Sequence, residues 1–229
     1  MESQQASFNP ANASSLSGIM QEVLKSFGCS LENAIPAIVK SYNRTKNVAV
    51  VQPAINDVAT SGETVEYDTV CLPVFNYGGG GVLVNFPLEA GNTGWIVACD
   101  KDISLYKQSL KVSNPNTFQR HRFAFGWFLP DIVKGAVISG DDNGALVIQT
   151  LDGATKITLK AGLVNVVSSA NLTVTAPNVT ITGDVSITGT LSVSGQISSS
   201  TDVLSAGISG KTHTHSGVST GSGNTGAPQ

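Results

Sequence analysis

At 229 residues the chain is long enough for one large domain or two small ones. Its formal net charge is only −3 and it carries no basic run, which excludes nucleic acid as an expected partner. Both tryptophans and all three cysteines lie before Pro130, whereas residues 151–229 contain no Phe, Tyr or Trp and are dominated by Ser, Thr, Gly, Val and Ile. A globular core of that size needs bulky residues, so the C-terminal part must bury itself in another way. Cys29, Cys71 and Cys99 are odd in number and widely spaced, which does not make a disulfide framework; they read as small buried apolar residues of a protein made in a reducing cytoplasm. No charged-plus-apolar signal pattern opens the chain and no apolar stretch approaches about 18 residues, so neither a secretory nor a membrane-spanning segment is expected.

Residues 1–15 are polar and read as a flexible arm. Leu16, Ile19, Met20, Val23, Leu24 and Phe27 then recur at helical spacing, after the possible N-caps Ser14 and Ser15 and before Gly28. This predicts a short amphipathic helix packed on the body or on a partner. From Ile35 to Pro130, apolar runs at 48–51, 64–72, 82–86, 94–98 and 123–128 alternate with turn residues, among them Pro53, Asn56-Asp57, Ser61-Gly62 and Gly91-Asn92. Strands at this spacing predict a small β-barrel. Gly78 to Gly81 is not followed by the Gly-Lys-Ser/Thr of a phosphate cradle and reads as a hairpin loop.

After Pro130 the pattern becomes strict alternation, at 136–138, 146–148, 157–159, 164–167 and 172–174, and then a period of six. The units are Asn178–Gly183, Asp184–Gly189 and Thr190–Gly195, with Gln196-Ile197-Ser198 starting a fourth. Each supplies two apolar residues two apart (Val179 and Ile181, Val185 and Ile187, Leu191 and Val193), alternating with Thr or Ser, and a Gly that lets the backbone turn. A six-residue period also marks the left-handed β-helix of acyltransferases. Such a one-chain solenoid must fill a wide triangular interior, and these few units supply too little for it. A buried Val or Ile contributes only about 1.5–3 kcal/mol, and a lone ribbon leaves both strand edges open. Winding several copies about one axis solves both problems, which predicts an obligate oligomer, a trimer, with an intertwined β-helical shaft.

The chain ends in Lys211-Thr-His-Thr-His-Ser-Gly217 and a Gly/Ser-rich tail, and it has three histidines in all. In extended backbone, side chains at i and i+2 share a face, so His213 and His215 present two imidazoles together. Three copies would bring six to an axis, a set suited to an octahedral transition-metal ion such as iron, nickel or copper rather than to tetrahedral zinc. His121, between Arg120 and Arg122, reads as structural. Asp141-Asp142-Asn143-Gly144 lacks the remaining spacing of a calcium loop and reads as a β-turn. No nucleophile elbow, metalloprotease helix or carboxylate pair suggests catalysis.

Several stretches resemble one family. They are Leu72-Pro73-Val74-Phe75, Val82 to Pro87, Gly91-Asn92-Thr93-Gly94-Trp95, Asp100 to Ser104, Gln119 to Phe123, and above all His213-Thr-His215-Ser-Gly217 continuing to Gly221–Gly226. Over nearly its whole length the chain is similar to the central baseplate spike, the membrane-piercing protein at the tail-tube tip of contractile-tail bacteriophages. The resemblance implies an all-β protein: an N-terminal arm with a short helix (1–34), an OB-like barrel (35–130), a trimeric intertwined β-helix shaft (131–205) and a metal-bound apex (206–229). It further implies one iron ion per homotrimer held by His213 and His215 of each chain, a tail-hub and tube partner, transient mechanical contact with the host outer membrane, and a place in the virion after synthesis in the host cytoplasm. There is no room for the lysozyme domain that some spikes carry, so no enzymatic activity is expected. The rival expectation is a trimeric fibre or adhesin whose barrel binds host glycan; an acyltransferase ranks third.

Overall fold

A computed structural model describes residues 15–29, 31–58, 62–135, 138–217 and 221. The arm through Ser14, the tail beyond Gly221, residues 218–220, and Ala136-Val137 of one expected strand lie outside the described residues. Helix α1 (Leu16–Cys29) begins where Ser15 accepts the Gly18 N–H at 3.0 Å, an N-cap that satisfies one of the orphan donors of the first turn. The expected packing of this helix on the body is not observed, since Leu16, Met20, Val23, Leu24 and Phe27 all remain largely exposed.

Strand β1 (Ala34–Asn43) pairs antiparallel with β2 (Val48–Pro53) through a tight turn in which Asn47 takes a left-handed φ of 52°. Alternate residues of these strands, Ala37 and Val39, then Ala49 and Val51, point inward and are buried. A short pair, β3 (Asp57–Val58) with β4 (Thr64–Val65), precedes β5 (Val70–Pro73), which adds to β2. The hairpin β6 (Tyr77–Gly79) and β7 (Val82–Val84) turns at Gly80 and Gly81, both at positive φ, so the glycine run is a hairpin tip as read. Strand β8 (Thr93–Cys99) flanks β1 on its other side. Helix α2 (Ser104–Ser109), which the sequence reading does not include, starts where Asp102 accepts the Ser104 N–H at 2.9 Å and the Thr117 hydroxyl at 2.9 Å. Strand β9 (Arg122–Pro130) completes the sheet order β5-β2-β1-β8-β9.

The two outer strands of this sheet approach one another. Val74, just after β5, makes a parallel bridge to Phe128 of β9, and the Phe75 N–H donates to the Phe128 carbonyl at 2.8 Å. The result is a near-closed, barrel-like sheet, and most of the structure is β. Its core is Ala37, Val39, Ala49, Val51, Leu72, Val74, Ile96, Phe123 and Phe128. Gly94 is required by close approach: a Cβ there would lie 2.3 Å from the Leu129 carbonyl oxygen and 2.5 Å from the Phe128 ring. Of the cysteines, Cys99 is half-buried, and burial pushes its thiol pKa up. Cys71 is exposed, which corrects its reading as a buried residue, because its side chain leaves β5 on the side opposite Leu72. Nothing is described of the Cys29 side chain.

Beyond the barrel, β10 (Leu146–Gln149), β11 (Lys156–Lys160) and β12 (Leu163–Val167) form an antiparallel meander. The expected turn at 141–144 is present as a 3-10 turn, Gly140–Asp142, capped by Ser139. Its Asp142 is buried, holding the Lys156 ammonium at 2.6 Å and the Thr158 hydroxyl at 3.2 Å. Residues 168–203 then contain no strand within the single chain. The chain divides into two compact units at Leu172–Thr173, and the C-terminal unit holds all the hexads. Their apolar residues are exposed, Val185 at 61% and Ile187 at 53%.

Candidate metal centre

In the C-terminal unit, the first backbone pairing after the hexads is a minimal hairpin, β13 (Leu204–Ser205) and β14 (Ile208–Ser209). Its two central residues, Ala206 and Gly207, have φ of 50° and 81°, the doubly left-handed conformation that tightens a two-residue hairpin. Asp202 closes the open end. One carboxylate oxygen accepts the N–H groups of Val203 at 2.8 Å and Lys211 at 3.1 Å, and the Gly210 N–H donates to the Val203 carbonyl at 2.8 Å. Hydrogen bonding from the Ser209 side chain, then from the Lys211, Val203 and Gly210 backbone, holds the Asp202 carboxyl below its ordinary pKa range.

Ser209 sits between this clamp and the histidines. Its Oγ accepts from the Thr212 N–H at 2.9 Å and from the Thr212 hydroxyl at 2.8 Å. Its carbonyl oxygen accepts the His213 N–H at 3.2 Å and meets His213 Nδ1 at 3.0 Å. Residues 213–215 are not a strand in the single chain. The rings of His213 and His215 nevertheless lie together, with centroids 5.2 Å apart and planes at 81°. Among the described residues of one chain no group of three or more His, Cys, Asp or Glu is placed to hold a metal. Two clustered imidazoles are good transition-metal donors but half or less of a coordination sphere, so the donor set fits a metal only when copies of the chain supply the remaining ligands.

His121, read as structural, has a left-handed φ of 49° and its carbonyl accepts the Glu32 N–H at 3.1 Å, while Nε2 lies 4.0 Å from Asp100. The Glu32 carboxylate in turn takes the Phe123 N–H and lies 3.3 Å from Arg122. These contacts tie the β9 entrance to the residues before β1. The sequence reading singles out neither Asp202 nor Ser209. The available signal was an X-Gly pair, Ala206-Gly207, between two short apolar-Ser runs with an Asp just outside them.

The barrel carries a groove of about 520 Å³ lined by Asn47, Phe75, Asn76, Val97, Trp127 and Leu129 among others. Both of its asparagines take part in hydrogen bonds within the barrel. Asn47 donates to the Val74 carbonyl at 2.7 Å and accepts from Tyr42 at 3.0 Å, and the Asn76 oxygen accepts from Asn85 at 3.1 Å. The rest of the lining is largely apolar, with Val74, Phe75, Val97, Trp127 and Leu129.

Two family models match this architecture. Residues 35–130, spanning the barrel, match the phage protein Gp138 N-terminal domain, and residues 207–229, from the hairpin turn to the chain end, match the GpV Apex motif. A domain of the one type with a tip of the other supports a phage baseplate spike protein. The two matches together are those of phage baseplate central-spike proteins. Among curated proteins no match is found. Among the described residues no helix is long and apolar enough to cross a membrane.

Proposed function

We propose that the protein is the homotrimeric central spike at the tip of a contractile tail and that it pierces the host outer membrane mechanically. Residues 1–34 form the arm and helix, 35–130 an OB-like barrel facing the tail hub and tube, 131–205 an intertwined β-helical shaft, and 206–229 the apex. One observation carries this reading: the hexad apolar residues, Val179 to Ile197, are all exposed on a segment without strand pairing, although their alternation is that of a buried strand face. Backbone groups and apolar stripes left open in one chain are satisfied when three chains wind about an axis, and a shaft with no open edge resists bending. Sheath contraction then delivers force to a stiff point, and no chemical step is needed.

At that point the two histidines of each chain, six in the trimer, hold a single iron ion. They rivet three chain ends that would otherwise fray.

Sedimentation of the full chain is expected to give a trimer, and elemental analysis one iron for three chains. Replacing His213 and His215 by Ala is expected to remove the metal and leave the trimer intact. A stable folded monomer would sink the spike reading, and unchanged metal content in the double variant would sink the ligand assignment.

A further inference from the structure

Resting on the reading of His213 and His215 as metal ligands, we propose that Asp202 and Ser209 are positioning residues for the apex, fixing His213 as a donor through Nε2. A backbone carbonyl has no proton to give. The 3.0 Å contact from His213 Nδ1 to the Ser209 oxygen therefore places the ring proton on Nδ1. In neutral imidazole the lone pair then lies on Nε2, on the far side of the ring from the hairpin. A hydrogen bond of this kind, from the non-ligating nitrogen to a carbonyl, is the usual way a metal-binding histidine has its tautomer and ring angle set.

The Ser209 carbonyl is an effective anchor only if Ser209 itself is held, and the hairpin alone does little, with only two residue pairs. The holding is done by side chains. The Ser209 hydroxyl collects the Thr212 N–H and hydroxyl and shares the Lys211 N–H with the Asp202 carboxylate, which also takes the Val203 N–H. Asp202 thus ties the residue before β13 to the turn that leads into His213. Each chain of a trimer repeats the arrangement, so three rings would be oriented before any metal arrives. This lowers the ordering cost of binding.

The test uses the full-length chain, stripped of metal and titrated with cobalt(II), whose ligand-field absorption reports coordination geometry. Asp202→Ala is expected to bind cobalt about 10–100-fold more weakly than the wild type, the usual size of an outer-shell loss, and to show an altered absorption band. Asp202→Asn, which keeps an oxygen acceptor for Val203 and Lys211, is expected to restore most of the affinity and the wild-type band. Should Asp202→Ala fail to assemble, Ser209→Ala takes its place, because it removes only a hydroxyl and is expected to weaken binding in the same direction. The His213→Ala/His215→Ala chain separates the two levels. If it binds cobalt like the wild type, the ligand reading fails and this inference with it. If it loses cobalt while Asp202→Ala or Ser209→Ala keeps wild-type affinity and spectrum, the positioning role alone is overturned.

Discussion

The barrel and the hexad segment use the same β-branched residues to opposite effect. Val39, Val51 and Ile96 are buried because strands of the same chain pair on either side of theirs, and Phe128 at their centre is 0% exposed. Val179, Ile181, Val185 and Ile187 alternate as regularly but have no strand beside them, and all are exposed. One region is therefore specified by contacts within a chain, while the other, in the proposed trimer, is completed between chains. The sharpest way to break this comparison is Val185→Asp with Ile187→Asp. In a trimer six apolar side chains would be lost from the axis, on the order of 10 kcal/mol or more, with charges set in their place. Sedimentation is expected to show the assembly lost while the near-ultraviolet circular dichroism of Trp95 and Trp127 persists; a trimer that survives the double substitution would mean the hexads do not meet at the axis.

The complementary change lies in the barrel. Phe128→Ala removes a fully buried ring that touches the space Gly94 leaves open, and is expected to destabilise the barrel by about 3–5 kcal/mol. Because that core lies within one chain, the loss should not vary with protein concentration, whereas unfolding of an interchain shaft should. Denaturant unfolding of the variant at several concentrations checks this. Equal sensitivity of both transitions to Phe128→Ala would mean that the two regions fold as one.

Sequence legibility follows the same divide. The hexads were readable because a strict period of six survives whatever partner completes it, and the paired histidines because i and i+2 are adjacent in almost any extended chain. Strand β1 was harder to see: Pro36 interrupts its apolar run and a register irregularity between Val39 and Ser41 breaks its alternation, although it is the central strand of the sheet. The run 64–72 was read as a single strand, but Tyr67 turns toward Phe123, with ring centroids 5.8 Å apart, and the ladder divides into β4 and β5. Helix α2 buries none of its residues and so left no amphipathic pattern. Asp202 and Ser209 act through backbone groups brought close by a turn, and such contacts have no fixed spacing in sequence.

Between the two regimes lies the Asp142 cluster, the one buried ion pair among the described residues, at 2.6 Å. It gives the β10–β12 meander an intrachain anchor, at what would be the start of the proposed shaft. The hydrogen bond and charge of Lys156, with a further hydrogen bond from Thr158, hold the Asp142 carboxyl below its ordinary pKa despite burial, which acts the other way. Since the folded pKa is the lower one, the unfolded chain binds the proton more readily. The stabilisation is therefore complete above the unfolded value, near pH 4, and is lost as pH falls through the folded pKa. Asp142→Asn should lower the unfolding midpoint at neutral pH by leaving the Lys156 ammonium without its counter-charge. The gap between wild type and variant should then narrow as the pH falls from about 4 and close once it passes the lower folded pKa, where the wild-type carboxyl also becomes neutral. Melts from pH 6 down to about pH 2.5 read that gap directly. A gap of constant width would remove the ion pair as an anchor and leave the shaft, from its first residues onward, dependent on its copies.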